Sequence, residues 1–180
     1  MEVEIVGVTD ISDEYYKMGC WVSRKFGYNK RSFYIKIKRA QVHPGEVWYC
    51  DMGYNIGTEK NKWRPVLVVS NNKINNSDKV VVICITDAKG KLNANDLPAQ
   101  DSWYLLYSST IDNANKLKPD RVIPTNNVPY SFLEKDCVVQ CEEIRAVSKA
   151  RLDLLKGVVG KLRPKDLNKL REKFMRAYVF

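Results

Sequence analysis

Gly57-Thr58-Glu59-Lys60-Asn61-Lys62-Trp63-Arg64-Pro65-Val66-Leu67-Val68-Val69-Ser70-Asn71 runs from a polar loop, through an Arg-Pro step, into a continuous apolar segment. Four consecutive aliphatic residues after the proline predict a strand covered on both faces. Pro65 fixes its own backbone angle, so Arg64 is expected at the mouth of that strand on a stiff support. A planar, permanently charged guanidinium held in this way suits a phosphate group.

Outward from this stretch the chain reads mainly as strands. Glu46–Asp51 is a short strand and Met52 to Lys62 a polar loop. Val80 to Thr86 is a second buried strand, and Trp103–Tyr107 and Asp136–Glu142 are two more candidates. Asp87 to Ser102 holds Gly90, Pro98 and Asn93-Ala94-Asn95-Asp96, which mark a long surface loop. Ser108 to Tyr130 is expected to contain only a short strand around Arg121-Val122-Ile123. Helices are predicted last. Ser148 is placed as N-cap of a helix of about ten residues ending near Gly157 or Gly160. Pro164 opens the final helix, with an apolar stripe through Leu167, Leu170, Phe174, Ala177 and Tyr178. Strands followed by helices predict an α+β domain on a small, curved, mostly antiparallel sheet.

His43-Pro44-Gly45 punctuates the chain and is the expected domain boundary. Residues 1–43 then form an N-terminal extension and 44–180 the main domain. Within the extension, Ile11 to Tyr28 shows no clean period. Ser32-Phe33-Tyr34-Ile35-Lys36-Ile37-Lys38-Arg39 alternates, so the extension is predicted to be partly strand.

The 180 residues carry a formal net charge of +9, which favours an anionic partner, nucleic acid ahead of membrane. Residues 1–42 hold 8 Lys/Arg against 5 Asp/Glu and the remainder 22 against 16, so the excess is spread over a folded body. Cys20, Cys50, Cys84, Cys137 and Cys141 are scattered, with no C-x-x-C pair, and His43 is the single histidine. That composition predicts no metal site of the usual Cys/His types and no cofactor. Buried thiols, an acidic start and no apolar run of membrane-spanning length predict a cytoplasmic protein without a membrane partner.

The ordered blocks Gly45-Glu46-Val47-Trp48-Tyr49-x-Asp51, Gly57-Thr58-Glu59, Arg64-Pro65-Val66-Leu67-Val68-Val69-Ser70-Asn71, Ile85-Thr86 and Leu133-Glu134-Lys135-Asp136-Cys137-Val138-Val139-x-x-Glu142-Glu143-Ile144-Arg145-Ala146-Val147, with Lys149 and Arg151-Leu152, resemble a MazF/PemK-type toxin over roughly 44–180. Glu143 stands where the family often has Gln, and Thr58 where it often has Ser. The resemblance implies a CcdB/MazF-like, SH3-like barrel with a C-terminal helix, a homodimer, and a cognate antitoxin protein. It also implies a sequence-selective endoribonuclease that cuts single-stranded RNA without a metal, leaving 2′,3′-cyclic phosphate and 5′-hydroxyl ends.

Such chemistry requires a base for the 2′-hydroxyl, charge stabilisation for the phosphorane and a proton for the 5′-oxygen. One histidine per chain excludes a two-histidine mechanism within it, and His43 reads as a surface residue. Arg64 is the candidate for charge stabilisation, with a structural ion pair as the competing reading. Thr86 resembles the family's catalytic threonine and is otherwise an ordinary strand-end residue. Glu59 is placed to orient Arg64 or accept the 2′-proton, or is a solvated loop carboxylate. Lys60, Lys62 and Trp63 beside Arg64, with Lys89 and Lys91 after Thr86, are the expected RNA-binding residues, since bases stack on aromatics while lysines follow phosphates. Two other readings stay open: a non-catalytic CcdB-like toxin that binds DNA gyrase, and an inactive RNA-binding module.

Overall fold

The structure, a computed structural model, describes residues 11–34, 37, 39–109 and 127–178. Six strands form one antiparallel sheet: β1 (Glu46–Asp51), β2 (Trp63–Val68), β3 (Lys79–Asp87), β4 (Trp103–Leu106), β5 (Cys137–Ser148) and β6 (Gly160–Lys161), in the order β4-β5-β3-β2-β1-β6. Helix α1 (Ile11–Ser32) precedes the sheet, the single turn α2 (Asn72–Asn75) joins β2 to β3, and α3 (Pro164–Tyr178) closes the domain. The long strands β3 and β5 pair along almost their whole length, with a register shift between Ile83 and Ile85. That bulge adds curl where the sheet must wrap around its core. The result is an α+β half-barrel with a C-terminal helix, the fold class the sequence predicts.

Alternation along the strands divides the core. Val47, Leu67, Ile83, Ile85, Val139 and Cys141 face one side, where Leu162 and Leu170 of the C-terminal segment cover them. Trp48, Cys50, Val66, Val68, Val82 and Cys84 face the other. Both sides are covered, which explains why β2 reads as an unbroken apolar run. Gly45, with φ +82°, precedes β1 and packs against Leu167 of α3. A β-carbon there would lie 2.8 Å from Leu167 Cδ1, so backbone angle and space both require glycine. All five cysteines are free thiols, four of them buried. No described helix is long and apolar enough to cross a membrane.

Two predicted elements differ. The extension holds a helix and no described strand: α1 runs to Ser32, and Phe33, Tyr34 and Ile37 belong to no strand. Tyr34, Ile37 and Ala40 each donate a backbone N–H three residues back, so these described positions bond within turns and not to a neighbouring strand. Ile35, Lys36 and Lys38 lie outside the described residues. After β5, the expected helix is only one 3₁₀ turn, Lys149–Arg151, capped by the Ser148 hydroxyl. Leu152 is extended and bridges to Cys50, and buried Lys149 reaches the Ala40 carbonyl at 2.8 Å. Those long-range bonds pull the chain out of helical geometry after one turn. The strand expected around residues 121–123 lies outside the described residues.

Candidate functional site

β2 and β3 pair with Val66 opposite Cys84 and Val68 opposite Val82. Continuing that register two residues sets Arg64 opposite Thr86. Both line one open cavity of about 240 Å³, together with Tyr49, Asp87, Glu134 and Lys135. Arg64 is half-buried, and its Nε and Nη2 both donate to the Asn61 carbonyl, at 2.8 and 2.7 Å. This bidentate bond fixes the plane of the guanidinium by the loop's own backbone. Its remaining N–H donors take no partner among the described residues. The competing reading, a structural ion pair, therefore has no carboxylate among those residues to supply it.

The loop between β1 and β2 is closed by reciprocal backbone bonds, Met52 N–H to Lys62 and Lys62 N–H to Gly53. Lys62 sits at φ +65°, a left-handed conformation that a side chain rarely adopts and that loops at functional sites often hold. Trp63, next in the chain, is 46% exposed, so its ring is not a core anchor. Lys62 is exposed beside it.

Glu59 is not at Arg64. Its carboxylate pairs with Arg145 Nη2 of β5 at 2.9 Å, and the neighbouring Lys60 pairs with Glu143 at 3.6 Å. Two ion pairs of opposite polarity thus fasten the loop to β5. Lys89 uses its backbone N–H on the Asp87 carboxylate, and Lys91 turns its ammonium back to the Asp87 carbonyl at 2.9 Å. His43 is on the surface, its ring 3.3 Å from the Asn72 side chain.

Residues 43–178 match the profile of the PemK-like, MazF-like toxins of type II toxin–antitoxin systems. The chain belongs to this family. Several solved structures are similar at low identity. An endoribonuclease in complex with its cognate antitoxin from a mycobacterial species is 20% identical, with a TM-score of 0.47, over 76% of this chain and 94% of its own. Toxin MazF-mt6 of Mycobacterium tuberculosis is 16% identical, TM-score 0.46, over 74% and 95%. MazF of Deinococcus radiodurans is 14% identical, TM-score 0.47, over 78% and 99%. No curated protein sequence matches. Helix α1 lies outside the part of this toxin that the family profile covers.

Two residues of this toxin's cavity carry no role in the sequence reading. Lys135 pairs with Asp87 at 2.7 Å, and Glu134 lines the wall beside it. Burial alone would raise the Asp87 carboxyl, but hydrogen bonds from Lys135 and from the Lys89 N–H outweigh it and hold the group below the usual carboxylate range. Asp87 therefore keeps its charge and keeps Lys135 at the rim. Only proximity in space links the two, and a sequence pattern carries no trace of it. Cys84, behind Arg64, is buried in the core, and that burial pushes its thiol up to about 11 despite the neighbouring Arg64.

Proposed function

We propose that this toxin is an endoribonuclease that cuts single-stranded RNA at a short sequence, acting as a homodimer in the cytoplasm and held in check by a cognate antitoxin. The observation that carries the reading is the meeting of Arg64 and Thr86, from different strands, in one open cavity. The reaction is attack of the 2′-oxygen on the adjacent phosphorus, with the bond to the 5′-oxygen breaking. The 2′-proton leaves to a base and the 5′-oxygen takes one up, giving 2′,3′-cyclic phosphate and 5′-hydroxyl ends without a metal.

In this reading Arg64 stabilises the charge that builds on the phosphorane oxygens, with its plane already set by Asn61. Thr86 donates a hydroxyl hydrogen bond to the same phosphoryl group. Lys62 and Trp63 receive the flanking nucleotides, by charge and by stacking respectively. Lys60 and Glu59 hold the loop through Glu143 and Arg145, so their proposed role is positioning. A gyrase-binding toxin gains nothing from an arginine and a threonine converging on a cavity.

Purified protein incubated with a long RNA in EDTA, with the cut ends mapped, tests the proposal. Reproducible metal-free cuts ending in cyclic phosphate are expected. Intact RNA together with inhibited gyrase would overturn it.

A further inference from the structure

Helix α1 is fixed to the domain through a small set of contacts on one side. Tyr28 donates its hydroxyl to the fully buried Asp51 carboxylate at 2.7 Å, and Arg24 Nε reaches the same oxygen at 3.1 Å. Trp21 packs against Gly53, where a β-carbon would come within 2.6 Å of its ring. Arg31 binds the Ala150 carbonyl at 3.0 Å. Asp51 is the ladder partner of Trp63, and Gly53 accepts the bond that closes the loop at Lys62. The helix is therefore moored at the base of the loop that carries Lys60, Lys62 and Trp63.

The side of the moored helix that stays in solvent is basic and aromatic. Lys25 and Lys30 are exposed and take no part in the anchoring contacts, Arg24 and Arg31 add charge beside them while held to Asp51 and the Ala150 carbonyl, and no acidic residue lies between positions 24 and 31. Arg24, Tyr28, Lys30, Arg31 and Tyr34 line an open groove of about 530 Å³. Phe26 and Tyr34 are 72% and 54% exposed. Burial of a core does not explain aromatics left in water beside a row of cations. Cations that follow a phosphate chain while bases stack on exposed rings do explain the pairing.

We propose that the C-terminal half of α1 is a second contact for the RNA strand, gripping nucleotides that run past the Trp63 side of the Arg64–Thr86 cavity. It rests on the endoribonuclease reading for its ligand. Its consequence is an affinity that grows with RNA length and a footprint wider than the cavity alone can supply.

The test compares the full chain with Lys25→Ala/Lys30→Ala, two exposed lysines that do not anchor the helix, using uncleavable 2′-O-methyl RNAs and fluorescence anisotropy. One RNA covers only the cavity and one reaches well beyond it. For the longer RNA the variant binds roughly tenfold more weakly, and the slope of log affinity against log salt falls by about 1.4, the contribution of two lysine–phosphate contacts on a single strand. Affinity for the short RNA equals the parent's, and Lys25→Arg/Lys30→Arg restores the long-RNA affinity. Equal affinity and salt slope for variant and parent on the long RNA would overturn the proposal, as would loss of binding to anionic lipid vesicles with RNA affinity intact. Binding of uncleavable RNA is read separately from cutting. A parent that binds RNA through α1 yet cuts none therefore refutes the nuclease reading alone, and a cutting enzyme indifferent to Lys25 and Lys30 refutes this one alone.

Discussion

Arg64 on β2 and Thr86 on β3 stand two residues beyond the ladder pair Val66–Cys84, and both open onto the same cavity. The sheet that carries them is buried on both sides, so their separation is set by backbone pairing and not by loop conformation. Replacing Arg64 by Ala is expected to lower the rate of RNA cleavage by about 10²–10³ while the far-UV circular dichroism and unfolding midpoint stay those of the parent. Thr86→Val keeps the branched shape and removes one hydrogen bond to a charged group, so about 10- to 100-fold is expected. Full cleavage by either variant would remove that residue from the mechanism.

Glu59 and Arg145 form an exposed ion pair, so Glu59→Gln is expected to change stability by less than about 1 kcal/mol. As a positioning residue it should raise KM more than it lowers kcat, and Arg145→Ala should do the same. A large fall in kcat for Glu59→Gln alone, with loss of the acidic limb of the pH–rate profile, would instead make Glu59 the general base.

Lys62 joins a strained backbone angle to an exposed charge. Lys62→Gly relieves the first and removes the second. The lost left-handed strain and the added freedom of glycine in the unfolded chain offset each other, so stability should move by less than about 1 kcal/mol in urea unfolding. RNA affinity should still fall, with a salt slope smaller by about 0.7. Unchanged affinity would show that only the backbone of this residue matters.

Asp166 at the start of α3 is buried and accepts hydrogen bonds from the hydroxyls of Tyr104 and Tyr130 and from Arg163 Nε. Burial alone would raise its carboxyl, but these donors outweigh burial and hold it below the usual range. A carboxylate lowered in the folded state stabilises fully above its unfolded value of about 3.9, and the contribution is lost as pH falls through the folded value. Thermal stability should therefore drop below about pH 4. Asp166→Asn should lose on the order of 3 kcal/mol at neutral pH and flatten that acid limb. An acid limb identical to the parent's would assign the effect to other carboxylates.

Tyr28→Phe removes the hydroxyl that meets buried Asp51 and should release the helix more than it harms the domain. Amide hydrogen exchange within α1 is expected to quicken while β3 and β5 keep their protection. Equal quickening across the sheet would mean that the helix and the domain unfold as one unit.

The main strands were legible because their signals are local. The apolar run after Arg64-Pro65 and the run from Val80 to Ile85 need no partner to be recognised as buried strands, and Pro164 with Asp166 announces a helix start by itself. The residues of α1 show no clean period because the helix buries little apart from Tyr28 and leaves Tyr15, Val22 and Phe26 in solvent, so no apolar stripe marks the docked face. Asp13 and Glu14 in its first turn and Lys30 and Arg31 in its last, which complement the helix dipole, were the signal available.

Sequence alone determined the family, the half-barrel's longer strands and Arg64 as a charge held at a strand mouth, because each is written in consecutive residues. Only the tertiary structure decided that Thr86 joins Arg64, that Glu59 turns to Arg145, that Asp87 holds Lys135, and that α1 is moored at Asp51. These are meetings of residues far apart in the chain. They are set by strand register and by where carboxylates find donors, and no local pattern encodes either.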